Sequence, residues 1–438
     1  MYQSLLYRHL NFKKFVMSLT SWLNHLVRII LLLIPCTLNA QELSLEEVQQ
    51  AARRNYPAIK QKDLIKQTAD LNIQNLNKGY LPQLALNGQA TYQSEVTEID
   101  ISLPGITINP LSKDQYKATA DLNQIVFDGG LIRNQKVLQR LNAEVESERN
   151  EVELYKLHER INQIYLGILL LDEQVKQVGL VKSDIETGIR KTNALVENGV
   201  AFRSNLNSLE AEKLKVEQRN IELRSSRKGL VQTLSLFLGI SLNEDVQLQP
   251  PAPVVITTEI KRPELGLYQK QTDLLNQQKK LVFSKNLPRA SLFGQGGYGR
   301  PGLNMLQDEA DWFYIAGVRL NWNVSNLYTA KKERQLTDLS SQSVNIQKET
   351  FLLNTATQLS QQKAEIEKLE SLVTTDKQII ALREKVKIAA NAQLENQVIS
   401  TSDYIREVNA EDQARQALII HQLQLIEAQL NYNTIAGK

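Results

Sequence analysis

Histidine is the side chain here best suited to acid–base or metal chemistry, because its ring titrates near neutral pH. Beyond residue 40 the chain has two, His158 and His421, and both stand within long helical stretches. Glu159 follows His158, but Asn162 stands where the zinc-protease pattern H-E-x-x-H needs its second histidine. We therefore interpret both histidines as ordinary helix residues and predict no metal site.

A glycine-rich segment, Gly294–Gly299, literally matches the nucleotide-binding pattern G-x-G-x-x-G. That pattern needs a strand before it and a helix after it. Here the segment leads into Arg300–Gly302, a turn sequence containing a proline. We expect these glycines to mark the rim of a strand where backbones approach closely. Carboxylates are frequent along the chain but form no paired arrangement, so we predict neither an enzyme nor a cofactor.

Charge and cysteine content exclude further classes of protein. The formal net charge is +3 with 23% charged residues, so no strongly basic field indicates nucleic acid as a partner. The single cysteine, Cys36, lies near the start of the chain. Lipid attachment to it is an alternative that Pro35 disfavours, because a small residue is needed there. Residues 41–438 contain no thiol for a disulfide, a zinc–thiolate site or a nucleophile.

The first forty residues, 1–40, have the pattern of a secretory signal peptide. An apolar run at 29–34 is followed by small and polar residues that predict cleavage after Ala40. The run is too short to span a membrane as a helix. The stretch before it is long for a signal, so translation from Met17 is an alternative to translation from Met1.

The same layout of residues occurs twice in the chain. One set of residues recurs 206 positions later, and a second set recurs 198 positions later. The first set pairs Pro57, Pro82 and Tyr92 with Pro263, Pro288 and Tyr298; the second pairs Leu122, Val126, Asn198, Val200 and Ser204 with Leu320, Val324, Asn396, Val398 and Ser402. Each copy has a helix ending in proline, two short alternating segments and a long proline-free tract. Duplication at this period predicts a fold built from two stacked copies.

The proline-free tracts run from Leu111 to Gln249 and from Gly302 to Lys438. Apolar residues in the first tract recur in steps of four and three, which is a narrow stripe of coiled-coil period. The stripe contains Leu157, Ile161, Ile164, Ile168, Leu171, Val175 and Val178. As one helix, residues 131–198 would extend ~100 Å. A rod of this length with thin seams needs neighbours on two sides, so we predict a sheet or tube of long helices.

Four segments have the opposite, two-residue period, at about 83–94, 114–127, 289–299 and 311–325. Alternation over about ten residues with aromatic residues near the ends is typical of outer-membrane barrel strands. A soluble hairpin lying on a core also alternates. Four strands are too few to close a barrel, for which about eight are needed. Either the hairpins lie outside a membrane, or several chains pool them.

Together these features resemble the TolC-type outer-membrane efflux proteins, and the resemblance covers essentially all of residues 41–438. The motifs that carry it are Gly79-Tyr80-Leu81-Pro82, Val126-Phe127-Asp128-Gly129-Gly130, Arg262-Pro263-Glu264-Leu265, Asn198-Gly199-Val200 and Asn396-Gln397-Val398. Their order and doubled spacing are specific, although each motif alone is weak. The chain departs from the family at Asn326-Leu327-Tyr328, where the first copy has Asp128-Gly129-Gly130, and at Gln397, which replaces a turn glycine. We expect turn geometry to differ at these two places.

The resemblance implies a mainly α-helical fold with membrane β-strands, made of duplicated helix–β-hairpin–long helical hairpin repeats. Three identical chains would pool their strands into a twelve-stranded barrel in outer-membrane lipid, continued by a helical barrel in the periplasm. Residues 41–249 would form the first repeat, and residues 263–438 the second. The linker between them, 250–262, would add a little strand or helix outside the tube.

The resemblance also implies the channel-tunnel of a tripartite efflux or type I secretion system, which is a passive exit duct for substrates that an inner-membrane pump drives and selects. The partners of the homotrimer would be a periplasmic adaptor protein and this inner-membrane transporter. Carried over by position, the adaptor would dock on the two turns, whose residues are Asn198, Gly199, Val200, Asn396, Gln397 and Val398.

The resemblance places a pore constriction at Asp403 and Arg406. Three copies of Asp403 would form a ring that attracts cations, and their mutual repulsion would raise the pKa of each carboxyl. Arg406 would either pair with Asp403 and weaken the filter, or lock the closed state across chains. The alternative for Asp403 is a solvated helix-cap aspartate after Ser402.

Two other classes of protein compete with the channel. A periplasmic coiled-coil adaptor is the alternative function, but it needs a compact β-rich domain beside a single helical hairpin, and this chain has two hairpins. A secreted structural coiled coil has no need of four amphipathic strands.

Overall fold

The computed structural model describes residues 42–97, 110–251 and 259–438. The predicted signal peptide, Cys36 and the middle of the predicted linker lie outside these residues. The described chain is mostly helical with one small antiparallel sheet, in agreement with the sequence-based expectation. In chain order the elements are α1 Leu45–Asn55, a 3₁₀ helix Pro57–Lys60, α2 Gln61–Lys78, β1 Gln83–Tyr92, β2 Asp114–Phe127, α3 Leu131–Glu197, α4 Arg203–Leu238, α5 Pro263–Lys285, β3 Arg289–Arg300, β4 Asp311–Asn321, a 3₁₀ helix Val324–Asn326, α6 Leu327–Glu395 and α7 Thr401–Ala436.

Two very long helices, α3 and α6, dominate the molecule with 67 and 69 residues. At about 1.5 Å per residue, each is ~100 Å long. Neither contains proline, so no ring removes a backbone hydrogen bond from the helix interior. Each is followed by a short turn and a helix of 36 residues, α4 or α7, that packs back against it. In the part of the chain that the structure describes, no helix combines the length and apolar character needed to cross a membrane.

The apolar core follows the seams between helices instead of forming one compact centre. One buried cluster joins α1 to α3 and α4 around Val48 and Ile168. A second cluster joins α3 and α4 to α6 and α7 around Ile185, Leu209 and Tyr404. Most residues of the predicted coiled-coil stripe are buried in these seams.

The sheet has the strand order β1-β2-β3-β4, and every neighbouring pair is antiparallel. Among the described residues, β1 and β4 have no strand on their outer sides. The alternating pattern predicts a last strand that continues to residue 325, but β4 ends at Asn321. The predicted end of the strand is wrong because the 3₁₀ helix Val324–Asn326 follows β4 and leads directly into α6.

The two faces of the sheet differ in polarity. One face is exposed and apolar, and its residues include Leu84, Leu86, Tyr92, Leu122, Val126, Leu292, Tyr298, Trp312, Tyr314, Val318 and Leu320. The opposite face carries polar side chains, among them Asn87, Gln89, Lys117, Thr119, Asp121 and Gln295. An apolar face of this extent marks contact with a partner or with lipid.

The connections between strand and long helix, β2 to α3 and β4 to α6, differ between the two halves of the chain. After β2, Asp128 accepts hydrogen bonds from the backbone N–H groups of Gly130 (2.8 Å) and Ile132 (2.7 Å). Gly129 and Gly130 adopt left-handed backbone angles there, with φ of 69° and 75°. After β4 the 3₁₀ helix takes the place of this turn. The turn geometry thus differs at Asn326, as expected, because the residues there are not glycine.

Candidate functional site

The turns that follow α3 and α6 have the same backbone geometry. Asn198 and Asn396 each donate a side-chain hydrogen bond to the carbonyl four residues earlier, at 2.7 and 2.8 Å. Gly199 and Gln397 follow with left-handed φ angles of 71° and 59°. The next residue is a valine in both turns, and its backbone N–H donates back into the helix at 2.8 and 2.9 Å. The difference expected at Gln397 is therefore wrong, since this residue adopts the conformation of the glycine.

The two turns lie side by side at the end of the molecule away from the sheet. Lys191 near the end of α3 pairs with Glu395, the last residue of α6. Val200, Phe202 and Val398 all project into solvent in the single chain. The residues predicted to dock an adaptor are thus collected on one small, accessible tip.

Asp403 and Arg406 contact each other directly in the first turns of α7. Ser400 is the N-cap residue of this helix, and its hydroxyl (2.7 Å) and backbone N–H (3.1 Å) both donate to Asp403. The guanidinium of Arg406 lies 2.9 Å from the other carboxylate oxygen of Asp403. Asp403 is therefore part of a helix cap, but as the third residue of a capping box whose N-cap residue is Ser400.

These contacts set the charge of Asp403 within one chain. The hydrogen bonds from the side chain and backbone of Ser400, with a smaller effect of Arg406, lower the pKa of the Asp403 carboxyl. This direction is opposite to the one expected from a ring of carboxylates, because hydrogen bonds to the ionised form favour it. Asp403 therefore carries a full negative charge at neutral pH.

A set of ion pairs between the two helical hairpins lies close to this tip. Lys387 of α6 contacts Asp184 of α3 at 2.9 Å and Glu411 of α7 at 2.6 Å. Arg219 of α4 contacts Asp412 of α7 at 3.1 Å. Since α3 and α4 form one hairpin and α6 and α7 the other, these contacts hold the two hairpins together.

Burial and charge oppose each other at Lys387. Burial alone would lower the pKa of its ammonium group, but the carboxylates of Glu411 and Asp184 reverse this effect and raise the pKa. Burial likewise favours the neutral form of Glu411, whereas Lys387 and Arg415 lower the pKa of its carboxyl. Lys387 and Glu411 are therefore both ionised at neutral pH.

Sequence reasoning missed this cluster, although the sequence contains a signal for it. On α7, Val408 follows Tyr404 by four residues, and Glu411 and Asp412 follow Val408 by three and four, as along a helical seam; all four are buried. Charged residues at apolar seam positions indicate a partner charge on the neighbouring helix. The partner itself lies more than 190 residues away in the case of Arg219, and spacing along the chain does not identify it.

The histidines lie far from the tip in sequence and in different surroundings. The ring of His158 packs against that of Tyr155 with centroids 5.3 Å apart, and burial and then Arg53 lower the pKa of His158. Nδ1 of His421 lies 2.6 Å from a carboxylate oxygen of Asp376. Within residues 42–97, 110–251 and 259–438, no group of three potential ligands from His, Cys, Asp and Glu is placed to hold a metal ion.

The glycine segment Gly294–Gly299 lies inside β3. A β-carbon at Gly297 would lie 2.7 Å from the carbonyl oxygen of Ala118 on β2. These glycines therefore allow neighbouring backbones and the ring of Phe313 to approach closely, and the strand leads into no helix.

Comparison by sequence gives no match, either to a protein-family model or to a curated protein. Comparison by structure gives several. CusC, studied for its folding and transmembrane channel formation, has a TM-score of 0.66 at 13% identity over 91% of this chain and 93% of that chain. The outer-membrane channel OprN has a TM-score of 0.65 at 12% identity, covering 90% of each chain. The Campylobacter jejuni outer-membrane channel CmeC has a TM-score of 0.64 at 13% identity, covering 90% of this chain and 85% of that chain. The resemblance found in the sequence is thus confirmed in three dimensions: this chain has the fold of the TolC-type outer-membrane channels.

Proposed function

We propose that this chain is the outer-membrane channel of an efflux or secretion system and serves as a passive exit duct for substrates that an inner-membrane pump drives. The observation that supports this proposal most directly is the exposed apolar face of a four-stranded sheet. Within the described residues, no strand pairs with the outer edge of β1 or β4. The fold it shares with outer-membrane channels supports the same conclusion.

An open sheet does not sit stably in lipid, because nothing there satisfies the hydrogen-bonding groups of its edges. Pairing β4 of one copy with β1 of the next removes both edges. These strands have 11 and 10 residues, so they match in length. Three copies then give twelve strands, which exceeds the smallest membrane barrels of about eight strands. We therefore propose a homotrimer with one shared barrel.

The long helices also have apolar surfaces that are exposed in the single chain. Leu339, Ile346 and Leu353 of α6 and Leu214 and Ile221 of α4 are each at least 60% exposed in the single chain. Leucine and isoleucine at such exposure along a ~100 Å rod favour contact with helices of adjacent copies. In this arrangement the two repeats of each chain, 41–249 and 263–438, form a helical barrel that crosses the periplasm.

The far end of this barrel would contain the gate and the adaptor site. The adaptor would bind the tip formed by Asn198-Gly199-Val200 and Asn396-Gln397-Val398, where accessible valines flank small and polar residues. Three copies of Asp403 would surround the pore near the tip, with Arg406 as a counter-charge. The ion pairs of Lys387 would keep the hairpins closed until the pump complex assembles.

Fractionation of cells that express the full chain tests the proposal. A channel of this kind is expected in the outer membrane as heat-resistant trimers that need detergent for extraction, and it should conduct ions in planar bilayers. Release by osmotic shock as a monomer would reject the proposal and favour a periplasmic coiled-coil adaptor.

A further inference from the structure

A basic groove lies where the helices meet the sheet. This shallow, open groove of about 470 Å³ is lined by Asn134 of α3, by Lys279, Lys280 and Phe283 of α5, and by Arg334 of α6. We infer that it binds the headgroup phosphate of an anionic phospholipid in the periplasmic leaflet of the outer membrane. The inference rests on the proposed function, since it requires the apolar face of the sheet to lie in lipid.

The groove adjoins the apolar face of the sheet through Trp322. Trp322 directly follows β4, in register with the residues of that face, and its indole N–H donates to the carbonyl of Asn286 at 3.0 Å. Asn286 is the C-cap residue of α5. Phe283 and Lys279 precede it by three and seven residues, so all three lie on one side of the helix. The apolar sheet face is therefore joined through Trp322 to the end of α5 that lines the groove.

The distance of the groove from the sheet corresponds to the headgroup region of a bilayer. Along α5, Phe283 and Lys279 lie ~5 and ~10 Å beyond Asn286. The polar layer on each side of a bilayer is about 5–8 Å thick outside a hydrocarbon core of about 30 Å. Phe283 and Trp322 are more than half exposed, and aromatic side chains of this kind occupy the interface of membrane barrels. The cations thus lie close to the outer edge of the polar layer.

Two cations of the groove are free to bind an anion. Lys279 pairs with Asp338, but among the described residues neither Lys280 nor Arg334 pairs with a carboxylate, and both are exposed. The guanidinium of Arg334 lies 5.9 Å from the ring of Phe283. The two exposed cations suit the anionic group of a ligand, and the neighbouring aromatic ring suits an apolar part next to that group.

The positive charge is local and does not reflect the composition of the chain. Residues 279–289 contain four basic and no acidic residues. Setting aside the four basic residues of positions 1–40 leaves 47 basic and 48 acidic residues in the remainder of the chain. Basic clusters at a membrane surface attract anionic lipid. Free phosphate lacks the apolar part that would contact Phe283 and Trp322.

The test compares the double variant Lys280→Gln/Arg334→Gln with a matched control, Lys348→Gln/Lys377→Gln, which removes two exposed cations elsewhere on α6. The full-length protein in non-ionic detergent is titrated with phosphatidylglycerol, and bound lipid is counted by native mass spectrometry. We expect the wild type and the control to bind alike and the groove variant to bind roughly tenfold more weakly or worse. Phosphatidylcholine, which has no net charge, should bind more weakly than phosphatidylglycerol.

Equal phosphatidylglycerol binding by the groove variant and the control overturns the inference, and so does complete displacement of the lipid by millimolar inorganic phosphate. Conductance in bilayers of phosphatidylcholine separates this failure from failure of the proposed function. If the wild type and the variant both conduct but bind phosphatidylglycerol equally, only the lipid site is rejected. If the wild type forms no trimers and does not conduct, the channel and the lipid site are rejected together.

Discussion

Lys387 of α6 lies 2.9 Å from Asp184 of α3, and this contact joins the two helical hairpins of one chain. The same ammonium group contacts Glu411 of α7 at 2.6 Å. Lys387 stands eight residues before the end of α6, close to the turn at Asn396. Any movement that separates the hairpins at the tip has to break this pair.

Replacement of Lys387 by methionine should open the periplasmic end of the channel. The variant keeps the length of the side chain but removes the cation shared by buried Glu411 and partly exposed Asp184. Glu411 then keeps only Arg415 as its partner, and weaker pairing of a buried carboxylate is costly. We expect a several-fold rise in single-channel conductance in planar bilayers. Lys377→Met, which changes an exposed lysine of the same helix, is the control and should conduct like the wild type. Equal conductance of all three proteins would show that Lys387 does not hold the gate.

Acid should weaken the same contact, and Glu411 determines the pH at which this happens. Burial alone would raise the pKa of Glu411, but Lys387 and Arg415 lower it from its ordinary value of 4.5. A lowered folded-state pKa gives stability that is present above about pH 4.5 and is lost as the pH falls through the folded value. Lys387 has a raised pKa, so its own contribution is complete at neutral and acidic pH and is lost only in strong alkali.

We therefore expect the thermal unfolding midpoint of the trimer to decrease when the pH is lowered below about 4.5. Glu411→Gln should lower the midpoint at pH 7 and flatten the decline in acid. The measurement is a set of melting curves from pH 7 to pH 3 in detergent. If the wild type and Glu411→Gln decline in parallel, another carboxyl is responsible.

Substitutions of Asp403 and of Arg406 should change the ion selectivity of the channel in opposite directions. If three Asp403 carboxylates surround the pore, Asp403→Asn should reduce the preference for cations, and it keeps a side chain that can still accept from Ser400. Arg406→Gln should increase the preference, because it removes the counter-charge 2.9 Å from Asp403. Reversal potentials in a potassium chloride gradient measure both effects. Unchanged selectivity in both variants would leave Asp403 with its capping role alone.

The sequence was sufficient for the parts of the fold that follow local patterns. Proline-free tracts with seams of three and four residues became α3 and α6, and two-residue alternation became the four strands. Contacts that depend on distant residues escaped prediction, as the pairing of Lys387 with Asp184 illustrates. The conformation of Gln397 was also mispredicted, because the hydrogen bonds of the turn outweigh the preference of a non-glycine residue for negative φ.

That conformation at Gln397 predicts a change in stability. A non-glycine residue in the left-handed region destabilises the folded state by about 1–2 kcal/mol. Glycine avoids this cost, but its greater freedom in the unfolded chain destabilises the folded state by about 0.5–1 kcal/mol. Gln397→Gly should therefore stabilise the protein by about 0.5 kcal/mol. Gly199→Ala, in the equivalent turn with φ of 71°, should destabilise it by about 0.5 kcal/mol, because the same two contributions act with opposite sign. Chemical denaturation in detergent measures both, and shifts of the same sign would contradict the argument.

The two faces of β4 give the most direct test of the membrane assignment. Val318 lies on the apolar face near the middle of the strand, and Ile315 lies on the polar face opposite Gln295 of β3. Arginine on the lipid side of a barrel costs about 2–4 kcal/mol near the bilayer midplane, whereas substitutions on the lumen side are tolerated. Val318→Arg should therefore sharply reduce heat-resistant trimers in the outer membrane, and Ile315→Arg should leave their amount close to that of the wild type. Both variants add the same side chain to the same strand, so a difference between them reports the face and not the charge. If both assemble normally, the apolar face of the sheet does not lie in lipid.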